Sequence, residues 1–326
     1  MAQFSSGVIL DEVQNAPELM SYIQEIVDNN PEHGRFILTG SQNFLITEKV
    51  SQSLAGRTAI LMLLSFTLQE IQSSEVDCSD VWEVIWRGGY PRIFDQQLSP
   101  SDWLANYKLT YLQRDVRQIL NIGDLDRFSH FLKLAAAHSG QELNYSGHGG
   151  DIGVSHNTIR SWFSILQASY LSFSLPAWFP NIKKRIVKRP KHHFLDTGLL
   201  CYLLGIQSAE QLQLHPLRGA IFETWVTSEI YKGMLNQGLQ PLLHHYRESS
   251  GIEFDLLFEK DGKLAPIEIK SSHTIASSFF KAFKLLDKRE ELQQYMGEGA
   301  IIYAGDQKQT RHNIRTIPWD SLTELF

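Results

Sequence analysis

Four charged side chains in the last third of the sequence could form one polar pocket. Glu223 lies in a predicted helix and Asp255 in a predicted strand, and Glu268 and Lys270 lie on a second predicted strand after a short turn. Successive side chains of a strand alternate between its faces, so Glu268 and Lys270 share one face. Asp255 can then meet Glu268 across one strand spacing. Three carboxylates at such range repel one another, so we expect a divalent cation or Lys270 to compensate them.

This order of a helix acid, a strand Asp and Glu-x-Lys followed by two serines resembles the PD-(D/E)xK nuclease superfamily. The resemblance implies a restriction-endonuclease-like α/β domain over residues 201–326. It implies that Asp255 and Glu268 bind Mg²⁺ or Mn²⁺. Glu223 would complete the metal shell, and Lys270 would position or activate the attacking water. A hairpin with a surface Glu-x-Lys pair has the same local pattern, and the superfamily includes members that only bind.

A second candidate site, for a nucleotide, lies near the N-terminus. An apolar run of strand type ends in Asp11 and Glu12, and a second such run is followed by small polar residues that include Ser41 and Asn43. In P-loop ATPases, a strand that ends in two acids delivers the first to the magnesium shell and the second to the attacking water. The second strand would then present a polar side chain near the γ-phosphate.

Three short runs in this region resemble the AAA-type ATPase domain of many bacterial and archaeal proteins. They are Leu-Asp-Glu-Val-Gln at 10–14, Leu-Thr-Gly-Ser-Gln-Asn at 38–43 and Leu-Ala-Gly-Arg at 54–57. The resemblance implies that Asp11 and Glu12 form a Walker-B pair, that Ser41 or Asn43 is the sensor, and that Arg57 contacts phosphate.

The sequence contains no Gly-x-x-x-x-Gly-Lys-Ser/Thr loop. We therefore expect residues 1–68 to be the C-terminal half of an AAA-type ATPase core, cut short at the N-terminus. Either the gene starts late or the chain is a natural remnant. ATP is expected to bind only if the missing segment is present, because the phosphate loop supplies most of the phosphate contacts.

The middle of the sequence is predicted to be helical, then winged-helix-like. Amphipathic stripes on both sides of the Arg-Gly-Gly-Tyr-Pro turn at 87–91 predict a helical lid or linker over residues 69–130. Over residues 131–200 we expect a winged-helix-like domain, because a helix capped by Ser155 buries every third or fourth side chain. The segments 170–178 and 185–195 would form its wing. Glycines 147, 149 and 150 argue against a well-formed helix before the turn.

Two polar surfaces in this domain are candidates for DNA contact. One is the outward side of the Ser155-capped helix, which has the chemistry of a recognition helix, and the other is a basic run ending at residue 191. The candidate side chains are Asn157, Arg160, Ser161, Lys183, Lys184 and Arg185. Such helices also pack against protein, and such basic runs are often solvated hairpins.

Composition limits the class of protein. Hydrophobic residues make up 43% of the chain and the net charge is −6, so any nucleic-acid contact must come from a local patch. The two cysteines lie in no cluster, which fits a reducing cytosol and predicts a cytoplasmic protein. The longest apolar run, residues 59–66, is far shorter than the roughly 20 residues of a membrane span, so no membrane partner is expected.

The sequence therefore predicts an α/β protein with a partial P-loop ATPase core, a helical and winged-helix-like middle and a restriction-endonuclease-like C-terminal domain. The first functional hypothesis is a DNA-associated protein of the ATPase family with a metal-dependent nuclease or a nuclease-derived DNA-binding domain. The second hypothesis is a non-enzymatic interaction or assembly protein, a remnant of such an ATPase. DNA is the expected partner, and a homo-oligomer is compatible with both hypotheses.

Overall fold

A computed structural model describes residues 7–30, 32–40, 54–74, 76–111, 125–248 and 251–325. The chain divides into two compact units, Met1–Met62 and Leu63–Phe326. The predicted sensor residues Ser41 and Asn43 lie outside the described residues. No helix in the described part of the chain is long and apolar enough to cross a bilayer.

Where the structure describes it, the first unit contains two short parallel strands joined by a helix. β1 (Val8–Leu10) pairs with β2 (Phe36–Leu38), with Val8 opposite Phe36, and α1 (Leu19–Asn29) lies between them in the chain. Parallel strands require such a crossover, and it brings the carboxyl ends of both strands to the same edge. The apolar side chains that pack beneath the strands are Val13, Met20, Ile23 and Leu54.

In the described residues, the second unit begins with five helices. They are α2 (Leu68–Gln72), α3 (Val81–Arg87), α4 (Pro91–Asp95), α5 (Pro100–Tyr111) and α6 (Leu125–Ala137). This agrees with the helical character predicted for this region. Capping side chains define where two of these helices begin. Thr67 and Glu70 form a reciprocal capping box at the start of α2. At the start of α3, the Asp80 carboxylate accepts the N–H of Trp82.

The glycine turn between α3 and α4 is fixed by close packing. Gly88 has φ +71°, in the left-handed region, and a Cβ on Gly89 would overlap the carbonyl oxygen of Phe66. The N–H of Gly89 donates to the carboxylate of Asp196 at 2.8 Å. The Gly-Gly turn therefore lets the chain approach its neighbours closely.

A helix-turn-helix and a small sheet follow. Their elements are β3 (Gln141–Glu142), α7 (Tyr145–Ile152), α8 (His156–Ala168), β4 (Ser172–Leu175), α9 (Ile182–Val187) and β5 (Lys191–Phe194). The sheet is antiparallel with the strand order β3-β5-β4. The two segments expected to form a wing, 170–178 and 185–195, contain the paired strands β4 and β5, whereas residues 185–187 at the start of the second segment belong to α9. The Asn181 side chain caps that helix by accepting the N–H of Lys183 at 2.9 Å.

The helix before the turn, α7, forms in spite of its glycines, so the expectation against a well-formed helix there was wrong. Asn144 caps it by accepting the N–H of Gly147 at 3.3 Å, and His148 packs near the ring of Phe163 on α8, with 6.0 Å between centroids. Gly149 faces α8 so closely that a Cβ there would lie 2.7 Å from the carbonyl oxygen of Val154. Tertiary packing thus outweighs intrinsic helix propensity.

The rest of the described chain contains a six-stranded sheet and further helices. They are α10 (Thr197–Leu203), α11 (Ala209–Leu214), α12 (Arg218–Asn236), β6 (Leu243–Arg247), β7 (Glu253–Lys260), β8 (Lys263–Lys270), α13 (Lys281–Leu286), α14 (Glu290–Gln293), β9 (Ala300–Tyr303), β10 (Gln309–Arg311) and β11 (Ile314–Pro318). The sheet order is β10-β11-β9-β8-β7-β6, with the pairs β8–β9 and β9–β11 parallel. The predicted helix at 218 and the predicted hairpin around Gly262 are confirmed.

The described residues of the second unit contain a large apolar core and a second buried cluster that includes Trp178 and Phe254. Ile85 of α3, Phe131 of α6 and Leu256 of β7 all belong to the large core, each with no exposed surface. A buried ion pair on α12 ties the start of the unit to this core. Glu229 accepts the N–H of Leu68 at 2.6 Å, and Lys232, which pairs with Glu229, donates to the carbonyl oxygen of Phe66.

Gly149 and Gly150 are neighbours in α7 that should respond oppositely to alanine. A methyl group on Gly150 meets nothing within 4 Å, so Gly150→Ala should raise the free energy of unfolding by about 0.5–1 kcal/mol. Gly149→Ala should lower it by about 1–3 kcal/mol, because the new Cβ overpacks against the Val154 carbonyl. Urea unfolding followed by circular dichroism measures both. Two shifts of the same sign would contradict the close packing of α7 on α8.

Candidate functional site

Asp255, Glu268 and Lys270 form the centre of the candidate site at the ends of β7 and β8. The Lys270 Nζ lies 3.2 Å from Asp255 Oδ2 and also contacts a carboxylate oxygen of Glu268. Because both carboxylates touch one nitrogen, their nearest oxygens are at most about 6 Å apart. The two acids are nearly buried, with 9% and 7% of their surface exposed. The structure thus brings these three predicted residues together.

The carboxylate of Asp255 also completes the edge of the strand ladder. The pairing between β7 and β8 runs from Lys260 and Lys263 up to Leu256 and Ile267. Beyond that point, Asp255 Oδ2 accepts the backbone N–H of Ile269 at 2.8 Å. A side-chain oxygen therefore takes the place of a backbone acceptor, and the hydrogen bond fixes the orientation of Asp255.

Glu223 is held by Lys191, which the sequence analysis assigned to an exposed basic run. Glu223 lies in the second turn of α12, and its Oε1 lies 2.7 Å from the Nζ of Lys191 at the start of β5. Lys191 is the last residue of the basic run predicted to be a surface, yet only 5% of it is exposed. The sequence gives little signal for this burial, because Lys191 is followed by two histidines and only then by the apolar Phe194 and Leu195.

Burial and charge act in opposite directions on these groups. Burial raises the pKa of Glu223 to about 7, with the charge of Asp255 adding to the effect and Lys191 opposing it. Burial likewise raises the pKa of Glu268 to about 7, opposed by Lys270. Burial alone would lower the pKa of Lys191 and Lys270, but the neighbouring carboxylates more than offset it and raise both pKa values. Both ammonium groups therefore stay charged at neutral pH.

The arrangement does not fit a divalent cation as it stands. Within the described residue ranges, no group of three or more His, Cys, Asp or Glu side chains could hold a metal ion. The ammonium of Lys270 contacts both predicted metal ligands, Asp255 and Glu268. The third acid, Glu223, is paired with Lys191. The chemistry that this cluster displays is that of carboxylates neutralised by two ammonium groups.

The predicted Walker-B residues lie at the carboxyl edge of the two parallel strands. Asp11, after β1, accepts a hydrogen bond from the hydroxyl of Thr39, after β2, and the Thr39 N–H donates to the Leu10 carbonyl at 2.9 Å. Glu12 has φ 50°, a left-handed conformation that is uncommon for a side chain larger than glycine. Thr39, which the sequence did not single out, is thus the residue that meets Asp11.

Arg57 pairs with an acid of α1. Its Nη2 donates to Asp28 Oδ2 at 3.1 Å, and both side chains are well exposed. An exposed pair of this kind is screened by solvent and contributes little to stability, so it does not hold Arg57 strongly in place. Its predicted contact with phosphate stays a prediction.

The outward side of α8 carries the predicted groove-facing side chains. Asn157, Arg160 and Ser161 are all exposed. The predicted apolar stripe on the opposite side is confirmed, since its members are buried: Ile159, Trp162, Phe163 and Leu166. A polar surface is therefore available on this helix, while its packing role is also fulfilled.

The basic run on α9 divides into solvated and packed members. Lys183 and Lys184 are exposed. Arg185 is half-buried, because its guanidinium lies 4.9 Å from the ring centroid of Trp178 and its Nε donates to the carbonyl oxygen of Phe179. Arg185 therefore has a structural contact that the sequence did not predict, and Lys183 and Lys184 are the more available to a partner.

β5 also buries two histidines that no predicted site used. His192 and His193 have no exposed surface. Neither ring nitrogen of His192 has a hydrogen-bond partner among the described residues, and its ring packs 4.8 Å from that of Phe163 and 5.4 Å from that of Phe194. Burial, together with the neighbouring His148 and His138, lowers the pKa of His192 to about 3.

Three family models match successive parts of the chain. An AAA domain matches residues 2–72, a domain of unknown function (DUF8612) matches 78–210, and a second domain of unknown function (DUF4143) matches 218–322. The first and last of these matches support an AAA-type ATPase-like protein.

Two curated relatives are similar over most of the chain. Uncharacterized protein Rv2008c of Mycobacterium tuberculosis (strain ATCC 25618 / H37Rv) and uncharacterized protein Mb2031c of Mycobacterium bovis (strain ATCC BAA-935 / AF2122/97) are each 30% identical over 312 residues. The match covers 93% of this chain and 66% of each relative. Protein VC1899 of Vibrio cholerae aligns over 96% of this chain and 79% of its own at 13% identity, with a TM-score of 0.22 that is too low to bear on the fold.

His192 should make the protein less stable in acid. Its pKa is lower in the folded protein than in the unfolded chain, so below pH about 6.5 the unfolded chain binds the extra proton and stability falls. Each such histidine contributes up to about 1.4 kcal/mol per pH unit, until the pH approaches the folded pKa. His192→Phe should remove this contribution while filling the same space. Urea unfolding between pH 7 and 5 measures the two slopes, and equal slopes would contradict the prediction.

Proposed function

We propose that this AAA-type ATPase-like protein associates with DNA through a nuclease-derived C-terminal domain. The observation that carries the proposal is the meeting of Asp255, Glu268 and Lys270, on two neighbouring strands, with Glu223 of α12 paired beside them. This is the order of groups that the PD-(D/E)xK resemblance implies. A hairpin with a surface Glu-x-Lys pair would not bury its acids or recruit a helix acid, so it accounts for less of the geometry.

The lysines of the cluster can contribute to recognition of a phosphate backbone. Lys270 has the most exposed side chain among the five charged groups, at 29%. An ammonium group donates charge-assisted hydrogen bonds to phosphate oxygens, and it requires no metal to do so. In this proposal, Lys270 receives a phosphate while Asp255 and Glu268 hold its ammonium in position.

The basic surface on α9 leads directly to the cluster. Lys183 and Lys184 are exposed, and the chain continues through Lys188 to Lys191, which lies inside the cluster. Three residues span at most about 11 Å, so Lys188 and Lys191 lie within that distance of each other. A duplex backbone on α9 would therefore come close to the acid and lysine cluster.

The elements of residues 131–200 support a winged-helix-like domain as a further DNA contact. A helix, a short strand, two helices and two antiparallel strands separated by a short helix follow one another as α6, β3, α7, α8, β4, α9 and β5. In such a domain, Asn157, Arg160 and Ser161 of α8 would face the DNA groove. A nucleotide role for Asp11 and Glu12 would require a Gly-x-x-x-x-Gly-Lys-Ser/Thr phosphate loop.

A second candidate function, assembly with another protein, is favoured by the apolar side chains of α9. Ile182, Ile186 and Val187 are 66%, 78% and 78% exposed. Apolar side chains at this density on a short helix are typical of surfaces that meet a partner. Salt dependence separates the two functions, because DNA binding releases counterions and apolar contact does not.

DNA binding by α9 should depend on its exposed lysines. Replacing both Lys183 and Lys184 with alanine should weaken duplex binding and reduce the slope of log K against log salt by about 1.8, since each lost phosphate contact removes about 0.9. Fluorescence anisotropy of a labelled duplex over a series of salt concentrations gives the slope. Lys260→Ala is the matched control, because Lys260 is exposed at the other end of β7 from Asp255. An unchanged slope in the double variant would assign this surface to another role.

The cluster itself should bind without cutting. Supercoiled plasmid incubated with Mg²⁺ or Mn²⁺ should show no nicking that distinguishes the wild type from Asp255→Asn and Lys270→Met. Asparagine is preferred to alanine because its side-chain oxygen can still accept the N–H of Ile269. Cleavage by the wild type that is lost in both variants would instead establish a metal-dependent nuclease, and equal cleavage by all three would indicate a contaminant.

A further inference from the structure

We propose that Lys191 and Lys270 are built-in counter-cations of the acid cluster, and that the cluster excludes Mg²⁺ and Mn²⁺ as long as both ammonium groups are in place. The proposal goes beyond DNA association, because it concerns how three carboxylates are neutralised inside the protein. It assigns to Lys191 a role that neither its position in a basic run nor the Glu-x-Lys pattern suggests.

Lys270 occupies the position that a shared metal ion would need. A divalent cation bound by Asp255 and Glu268 requires an oxygen of each at about 2.0–2.6 Å. The Lys270 nitrogen lies 3.2 Å from Asp255 Oδ2 and contacts the Glu268 carboxylate, so it sits between the same two ligands. An ammonium group and a metal ion cannot both occupy that space.

Lys191 adds a second positive charge that cannot easily leave. Its side chain is 6% exposed and reaches Glu223 at 2.7 Å. Its backbone is fixed on both sides, because Lys191 pairs with Glu142 of β3 and with Leu175 of β4. If the side chain moved away from Glu223, a buried ammonium and a buried carboxylate would both lose their partner, which is costly.

The two lysines therefore differ in what they contribute. Lys270 is partly exposed at the end of β8 and can turn toward solvent, whereas Lys191 is held within the protein. Lys191 also interacts electrostatically with Asp255, so its charge opposes a metal ion at the centre of the cluster even when Lys270 has moved. Lys191 is thus the stronger determinant of metal exclusion.

Binding of Mn²⁺ to the full chain tests the proposal without reference to DNA. Isothermal titration calorimetry should detect no Asp255-dependent site in the wild type or in Lys191→Arg, which keeps the charge. Lys191→Met keeps the aliphatic stem and removes the charge, and should bind Mn²⁺ at least about tenfold more tightly, or about 1.4 kcal/mol. Adding Asp255→Asn should abolish the gain.

A second pair of variants keeps the test decisive if Lys191→Met does not fold. Lys270→Met removes the ammonium between the two acids and should also create an Asp255-dependent Mn²⁺ site. Lys263→Met, at the other end of the same strand, should create none. Near-ultraviolet circular dichroism identifies the folded variants. An Asp255-dependent Mn²⁺ site as tight in the wild type as in the methionine variants would overturn the proposal, as would folded methionine variants that gain no site.

Discussion

The arrangement of the C-terminal half depends on the ion pair between Lys191 and Glu223. An ammonium and a carboxylate that are this well buried are tolerated only when each has its partner, because desolvation of either charge alone is costly. The pair therefore fixes the distance between β5, in the small antiparallel sheet, and α12, which packs on the large one. Asp255 and Glu268 lie next to that contact. A change in the charge balance of the cluster would therefore also change how the two sheets pack.

α12 carries the charges that connect the parts of the second unit. Glu223, in its second turn, faces Lys191, and two turns later Glu229 and Lys232 capture the backbone of residues 66–68. Polar groups occupy the buried side of this helix because they bind other segments there. For this reason it lacks the clean apolar stripe that α8 shows, although its Trp225 and Val226 are also buried.

The local sequence pattern predicted most helices and strands. It did not predict the contacts between segments that are distant in the sequence. The alternation of side chains in β7 and β8 placed Glu268 and Lys270 on one face, and the spacing of Ile159, Trp162 and Phe163 identified the buried side of α8. Periodicity could not indicate that Lys191 turns inward, because its partner is 32 residues away on another element. α7 was underestimated for the same reason: its glycines are unfavourable alone, but Gly149 permits close contact with the segment that leads into α8. Ser41 and Asn43 lie outside the described residues, so their role stays a prediction.

The hydrogen bond from the Ile269 N–H to Asp255 links the charged cluster to the middle of a sheet. The polarisation of that N–H depends on the charge around the carboxylate that accepts it. Any ion or phosphate that enters the cluster would therefore alter the amide of a residue whose own side chain is apolar and buried. The amide resonance of Ile269 should therefore report the binding of a ligand in the cluster, even when that ligand undergoes no reaction.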